Sequence, residues 1–164
     1  MELKKALKTA LDFEEKGHRI YEETANNTKN PIVAKTFRYL AEQELNHINE
    51  IKGYIDKEKI ELKGDKPKDT KQFFSMTTKE FKKKTELSGD DVKAHETALE
   101  LEQNAYGFYE EQHGKTSNKE LKKFFKFLME QENAHYELIQ KAYEFIKNPV
   151  GFYTEEEKWM ADGG

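Results

Sequence analysis

Cysteine is absent from this chain of 164 residues, and proline and glycine are scarce, at 3 and 9 residues. The absence of cysteine excludes disulfides, thiol catalysis and thiolate-ligated iron or zinc. Few turn-forming residues favour a small number of long helices. No run approaches the ~18 apolar residues of a membrane span, and the N-terminus lacks the apolar core of a signal peptide. We therefore expect a cytoplasmic protein that has no membrane partner.

Charge is plentiful but almost balanced. Charged residues make up 37% of the chain and hydrophobic residues 35%, and the formal net charge is −4. This slightly negative balance argues against nucleic acid as a partner. With so little apolar material, the core must be built from hydrophobic stripes on amphipathic helices. The length fits one domain with a sizeable core.

Four long helical patterns predict the fold. Short turns pair the helices into two hairpins, at about residues 3–57 and 89–147. Three of the helix starts carry recognisable caps, because a serine or asparagine precedes each helix. These caps are Asn30, Ser88 with Asp91, and Asn118. We therefore predict an all-α protein, an antiparallel four-helix bundle made of two helical hairpins.

A long connection joins the two hairpins. We predict that this crossover covers residues 58–88 and contains a short helix at about Thr78–Thr85. The bundle then occupies residues 1–147, and a tail occupies residues 148–164. The aromatic residues of the tail are too apolar for a free end, so we expect the tail to dock on the bundle or on a partner subunit.

The two halves of the chain repeat each other. Thr9–Lys52 aligns with Thr97–Gln140 without a gap, and seventeen of the forty-four positions are identical. Each half contains a lone glutamate that is followed, 30 residues later, by a Glu-x-x-His motif. The six residues of this pattern are Glu14, Glu44, His47, Glu102, Glu132 and His135. Composition shared by amphipathic helices does not account for an ungapped match that keeps all six.

These six residues have the chemistry of a site for two metal ions. Positions i and i+3 share one face of a helix, so each Glu-x-x-His pair can reach the same metal or adjacent ones. Four ionised glutamates in a core would carry a charge of −4, and no lysine or arginine lies on the inward stripes to offset it. Two divalent ions would supply +4. Oxygen-rich ligation with one imidazole per metal suits iron or manganese.

Two tyrosines lie close to this pattern. Tyr21 and Tyr109 follow Glu14 and Glu102 by seven residues, which is two helical turns. A phenol at this position could donate a hydrogen bond to a ligating carboxylate, or relay an electron or a proton. The alternative is an ordinary buried aromatic residue whose hydroxyl finds another partner.

Five further polar residues lie close to this pattern in the sequence or on the same predicted helices. His18 lies one turn after the first glutamate and could be a seventh ligand, a proton shuttle or the partner of a neighbouring carboxylate. His95 and His113 fall near helix ends and off the predicted stripe, so we expect both to face solvent. Gln43 and Gln131 directly precede the motif glutamates, which hints at a hydrogen bond between helices.

On the strength of Glu14, Glu44-x-x-His47, Glu102 and Glu132-x-x-His135, the chain resembles the ferritin-like di-iron superfamily. Within that superfamily it is most similar to the rubrerythrin family, and the resemblance covers about Glu2 to Lys147. It implies a ferritin-like bundle that holds two iron ions in a carboxylate-bridged centre, with manganese as the other possible metal. It also implies a homodimer.

The chain departs from peroxidase rubrerythrins in three ways. Those proteins carry an additional ligating glutamate three residues after the third-helix glutamate, where this chain has Ala105. They typically have a second glutamate in the fourth-helix motif, where this chain has His135. They commonly append a rubredoxin domain with cysteine pairs. The six-ligand set of this chain is closer to bacterioferritin and to ferroxidase-like proteins. Because the chain has no such cysteine pairs, any electron donor must be a separate protein, such as a rubredoxin, or a small molecule.

The resemblance implies a non-haem di-iron oxidoreductase that reduces hydrogen peroxide or dioxygen in defence against oxidative stress. A ferroxidase or other iron-handling protein, and a manganese catalase, would use the same ligands. A metal-binding bundle without catalysis is the alternative from a different class. The sequence leaves open whether peroxide, dioxygen or ferrous iron is the substrate.

Overall fold

The computed structural model describes residues 2–57, 73 and 87–148, and the ordered elements within these ranges are helices. There are four long ones: α1 (Glu2–Asn27), α2 (Pro31–Lys57), α3 (Gly89–Lys115) and α4 (Lys119–Lys147). At 1.5 Å per residue, each spans about 40 Å. The prediction of an all-α four-helix bundle is confirmed. The predicted crossover helix and the docking of the tail fall outside the described residues.

The predicted caps set where three helices begin. Asn30 Oδ1 accepts from the backbone N–H groups of Ile32 and Val33, at 2.9 and 3.2 Å. Asn118 plays the same part for α4. Ser88 and Asp91 form a reciprocal capping box at the start of α3. These side chains satisfy backbone donors that the first turn of a helix leaves without partners.

The helices are arranged so that spatial neighbours run in opposite directions. α1 packs against α2 and α3 against α4, and the two hairpins meet where α1 contacts α3 and α2 contacts α4. The Thr28 hydroxyl, in the turn after α1, donates to Asp91 Oδ1 at 2.6 Å. α3 therefore begins at the end of the bundle where α1 ends, opposite to the end where α2 stops.

Two apolar clusters fill the bundle on either side of a polar layer. One lies toward the α1–α2 turn and includes Ile32, Phe37 and Phe145. The other lies toward the α3–α4 turn and includes Leu7, Phe124 and further aliphatic residues. The glutamates and histidines of the repeat occupy the layer between the two clusters, which separate it from solvent at both ends of the bundle.

The prediction that His95 faces solvent is wrong. Its ring is fully buried, meets the edge of Phe37 at 5.0 Å and stacks on Tyr143 at 5.4 Å. His95 Nδ1 lies 2.7 Å from the carbonyl of Asp91 and donates to it. The sequence contained the signal, because His95 precedes Glu102 by seven residues and its repeat counterpart is Leu7. His113, at the end of α3, is half-buried.

Among the helices within residues 2–57 and 87–148, none combines the length and apolar character that crossing a membrane requires.

Candidate metal centre

The structure brings all six residues of the repeat together in the polar layer. Each helix contributes from its inward face: α1 and α3 one glutamate each, α2 and α4 one Glu-x-x-His pair each. Every one of the six is at most 2% exposed. They are Glu14, Glu44, His47, Glu102, Glu132 and His135.

Ligand atoms from these side chains form two overlapping groups. In each group, the oxygen and nitrogen atoms lie within 4.8 Å of one another. One group contains Glu14 and His47, and the other contains Glu102 and His135. Glu44 and Glu132 belong to both groups. The arrangement therefore has two centres that share two carboxylates and follow the two-fold pattern of the sequence.

Each histidine turns the same ring nitrogen toward the carboxylates. His47 Nδ1 lies 3.3 Å from Glu14 Oε2 and 3.4 Å from Glu132 Oε1. His135 Nδ1 lies 3.1 Å from Glu44 Oε1 and 3.7 Å from Glu102 Oε1. The two rings are nearly parallel, with centroids 5.5 Å apart. Nδ1 is therefore the nitrogen with which each histidine would bind an ion, together with the carboxylates of its own group.

One of the two glutamines that precede the motifs, Gln131, approaches the other ring nitrogen of a candidate ligand. His47 Nε2 lies 3.4 Å from Gln131 Oε1 and donates to it across the bundle, as the matching positions of the glutamines hinted. A proton on Nε2 leaves Nδ1 with a lone pair for a metal. On the other side of the two-fold, Gln43 Oε1 and His135 Nε2 are both buried without a hydrogen-bond partner within residues 2–57 and 87–148.

The two tyrosines bind the lone glutamates reciprocally. Tyr21 on α1 donates to Glu102 Oε1 on α3 at 2.6 Å, and Tyr109 on α3 donates to Glu14 Oε1 on α1 at 2.6 Å. Burial raises the pKa of both phenols well above 10, and the charge of the bonded glutamate raises each further. The phenols therefore stay protonated and act as donors, so the hydrogen bond suggested by the sequence is present.

Buried carboxylates at this density must share protons when no cation is bound. Burial raises the pKa of Glu132 well above 4.5, and the charges of Glu102 and Glu14 raise it further. Burial alone would also raise the pKa of Glu102, but hydrogen bonds with Glu132, His135 and Tyr21 and the charge of His135 lower it overall. Of these two glutamates, Glu132 is therefore the one whose environment favours binding a proton in the metal-free protein.

The donor set fits two hard or borderline divalent cations. Four carboxylates and two imidazoles are oxygen-rich ligands without thiolate, the set expected for iron or manganese. Two divalent ions would cancel the charge of the four glutamates. Glu102 Oε2 and Glu132 Oε1 are buried and have no hydrogen-bond partner among the described residues, which leaves their lone pairs available.

Comparison with known families agrees with this geometry. The family model described as Rubrerythrin matches residues 5–143, most of the chain. The chain belongs to the rubrerythrin family. This family typically binds iron, which suits the donor set. No curated protein and no solved structure matches the chain significantly.

Two positions distinguish this site from that of peroxidase rubrerythrins, which have an additional ligating glutamate. Ala105, where peroxidase rubrerythrins have an additional glutamate, is buried in the apolar cluster beside Tyr109. Its repeat counterpart Gly17 lies against the Glu44 carboxylate, where an added Cβ would be 3.6 Å from Cδ. Neither position supplies a ligand atom, so the site keeps its two-fold symmetry.

His18 lies outside both ligand groups. Its Nδ1 donates to the carbonyl of Ala41 at 2.8 Å, and its Nε2 lies 3.2 Å from Glu22. Of the roles left open by the sequence, the structure shows the partner of a neighbouring carboxylate. His18 therefore ties α1 to α2 at the surface of the bundle.

Proposed function

We propose that this protein is a di-iron oxidoreductase that reduces hydrogen peroxide. The observation that carries the proposal is the pair of ligand groups that share Glu44 and Glu132. Glu44 and Glu132, which belong to both groups, would help to hold both ions. Glu14 and His47 would complete one ion's ligands, and Glu102 and His135 would complete the other's.

When bound, two ferrous ions supply the two electrons that convert one hydrogen peroxide and two protons into two waters. The protein's own contribution is placement and exclusion of water. The apolar clusters on both sides of the layer keep the site dry from the ends of the bundle. Tyr21 and Tyr109 would each orient a lone glutamate by donating a hydrogen bond to one of its oxygens.

Re-reduction of the centre requires electrons from elsewhere. The chain contains no cysteine, so it has no thiolate-bound iron of its own to deliver them. We propose a separate donor, such as a rubredoxin. A protein that reduces peroxide with electrons from such a donor would act in defence against oxidative stress. The donor would be oxidised in each cycle.

Anaerobic loading with ferrous iron, followed by stopped-flow mixing, tests the proposal. We expect two iron ions per chain and a faster oxidation by hydrogen peroxide than by dioxygen. Glu44→Gln, which removes a shared carboxylate, should lower the iron content and slow the oxidation. Glu42→Gln is the matched control, since Glu42 lies two residues earlier on α2 and is exposed.

Three outcomes would contradict the proposal in different ways. An iron content below one ion per chain after loading would show that the six residues do not form a di-iron centre. Full loading with no reaction toward either oxidant would leave a metal-binding bundle. Release and repeated oxidation of added ferrous iron, many equivalents per chain, would make iron the substrate and the protein a ferroxidase.

A further inference from the structure

The six buried residues follow the two-fold repeat, but the surface above them does not. A cavity of ≈ 200 Å³ lies between α3 and α4. It is lined by Glu102, Gln103, Tyr106, Glu132, Asn133 and Tyr136. Two of these are candidate ligands, so the cavity reaches the metal centre from the side of the bundle.

The solvent exposure of the lining residues decreases from the mouth of the cavity to the candidate ligands at its inner end. Gln103 and Asn133 are exposed and form the mouth, whereas Tyr106 and Tyr136 are half-buried. The candidate ligands at the inner end are buried. Because the apolar clusters close both ends of the bundle, a lateral path of this kind is the direct route for a small molecule.

The corresponding face between α1 and α2 is built differently. Four of the six residues that line the α3–α4 cavity are not candidate ligands. Their repeat counterparts on the α1–α2 face are Glu15, His18, Leu45 and Ile48. The cavity on this face, of ≈ 330 Å³, is lined by His18, Glu22, Ala25, Asn26, Arg38, Ala41, Glu42 and Leu45. It contains none of the six candidate ligands. The hydrogen bond from His18 to the Ala41 carbonyl joins the two helices at this position.

The lining of the α3–α4 cavity is polar but uncharged until its inner end. Amides and phenols both donate and accept hydrogen bonds, which matches hydrogen peroxide, a small molecule with donors and acceptors. A hydrated divalent cation would instead require carboxylates along the route to replace its water. The volume is that of roughly six to seven water molecules at ~30 Å³ each.

We propose that hydrogen peroxide reaches the metal centre through the α3–α4 cavity, past Gln103 and Asn133, and that the uncharged lining admits it in preference to ferrous ions. This inference rests on the proposed function for the identity of the molecule. It goes beyond that function by assigning one face of a symmetric bundle to the substrate.

Blocking variants at matched repeat positions test the route. Asn133→Phe places an aromatic ring at the mouth, and Leu45→Phe places the same ring at the counterpart position on the α1–α2 face. Both native side chains are exposed, so neither change fills the core. We expect Asn133→Phe to slow oxidation by peroxide by about tenfold, which is only ~1.4 kcal/mol on the barrier. Leu45→Phe should leave the rate within about twofold of the parent.

Two further measurements separate the route from the reaction. Azide binding to the oxidised, iron-loaded protein reports access by a small molecule without any reduction of peroxide, and Asn133→Phe alone should slow it. Uptake of ferrous iron by the metal-free protein should be unchanged in Asn133→Phe. Asn133→Leu, which installs the residue of the other face, repeats the test with a smaller side chain if the larger one disturbs folding.

The outcomes distinguish the two proposals. If wild-type protein fails to reduce peroxide but azide binding is slowed only at position 133, the proposed function is wrong and the route stands. If peroxide oxidises the bound ferrous iron at the same rate in the wild-type protein, Asn133→Phe and Asn133→Leu, at equal iron content, the proposed route is wrong and the proposed function stands. If Asn133→Phe slows ferrous uptake as much as oxidation by peroxide, the preference for an uncharged molecule is wrong.

Discussion

Removal of one phenolic hydroxyl tests whether the tyrosines stabilise the lone glutamates. Tyr109→Phe deletes the 2.6 Å hydrogen bond to Glu14 Oε1, and Tyr21→Phe deletes the equivalent bond to Glu102 Oε1. Both rings are at most 1% exposed, and phenylalanine keeps the ring, so little apolar burial is lost. Each change leaves a buried carboxylate oxygen with one donor fewer.

A hydrogen bond to a charged group contributes about 1.5–3 kcal/mol to stability. We therefore expect each variant to lower the free energy of unfolding of the metal-free protein by about 1.5–3 kcal/mol. With an m-value of ~2 kcal/mol/M, the urea midpoint should fall by about 1 M. The two variants should behave alike, because the two bonds are related by the repeat and have the same length.

Iron affinity should fall as well. Loss of a hydrogen bond that orients a metal-ligating carboxylate typically costs 10- to 100-fold in affinity, so competition with a chelator should show a shift of about that size. Tyr143→Phe is the control, since the Tyr143 hydroxyl makes no hydrogen bond within the described part of the chain. The reasoning is refuted if both variants lose less than about 0.5 kcal/mol, the range of ordinary surface substitutions.

Three further predictions concern titration and orientation. Burial lowers the pKa of His95 below 6.5, so its contribution to stability is present above pH 6.5 and is lost as the pH falls through the lowered pKa. Unfolding free energies measured across this range should differ in slope between wild-type and His95→Phe by at most ~1.4 kcal/mol per pH unit; parallel curves would contradict this. The raised pKa of Glu132 has the opposite sign, because stability is lost as the pH rises from 4.5 through the raised value. Because the raised pKa favours proton binding at Glu132, iron should compete with a proton there. Calorimetry in two buffers with different ionisation enthalpies should then detect proton release, and identical heats would argue against it. Gln131→Leu removes the acceptor for His47 Nε2 and should weaken iron binding by about 10- to 100-fold, whereas Gln131→Glu, which keeps an acceptor, should retain more of the affinity.

Much of the bundle was accessible from the sequence because its signals are local. Asn30, Ser88 and Asn118 can cap only the helices that follow them, and each does so in the structure. The repeat also identified the six residues of the site, and the three-residue spacing keeps each Glu-x-x-His pair on one face of its helix.

The face of α3 was harder to predict, for a physical reason. Its buried line runs through Asp91, His95, Ala98, Glu102 and Ala105, which alternates polar and small residues. Hydrophobic periodicity is weak on such a helix, so it did not show that His95 lies on the buried face. Burial here comes from packing against α1 and α4, which a single helix cannot report.

Most partners across the helices could not be assigned from the sequence. Tyr21 lies two turns from Glu14 on its own helix, yet it binds Glu102 on α3. The double role of Glu44 and Glu132 depends on how far each helix is rotated in the bundle. Repeat and spacing identify which residues meet, whereas tertiary packing decides the pairs.

The repeat is preserved where burial leaves no substitute for a side chain. Thirteen aligned positions are buried in both halves, and nine of them are identical, whereas only eight of the remaining thirty-one are. A buried carboxylate needs its donor and its cation in both halves, so Glu14 and Tyr109 are matched by Glu102 and Tyr21. An exposed position tolerates many side chains because water can hydrate each of them. The exposed repeat counterparts Asn133 and Leu45 can therefore differ. Two-fold symmetry in the core is therefore compatible with a cavity that reaches the candidate ligands from the α3–α4 face and not from the α1–α2 face, because the charge balance that fixes the core does not extend to the surface.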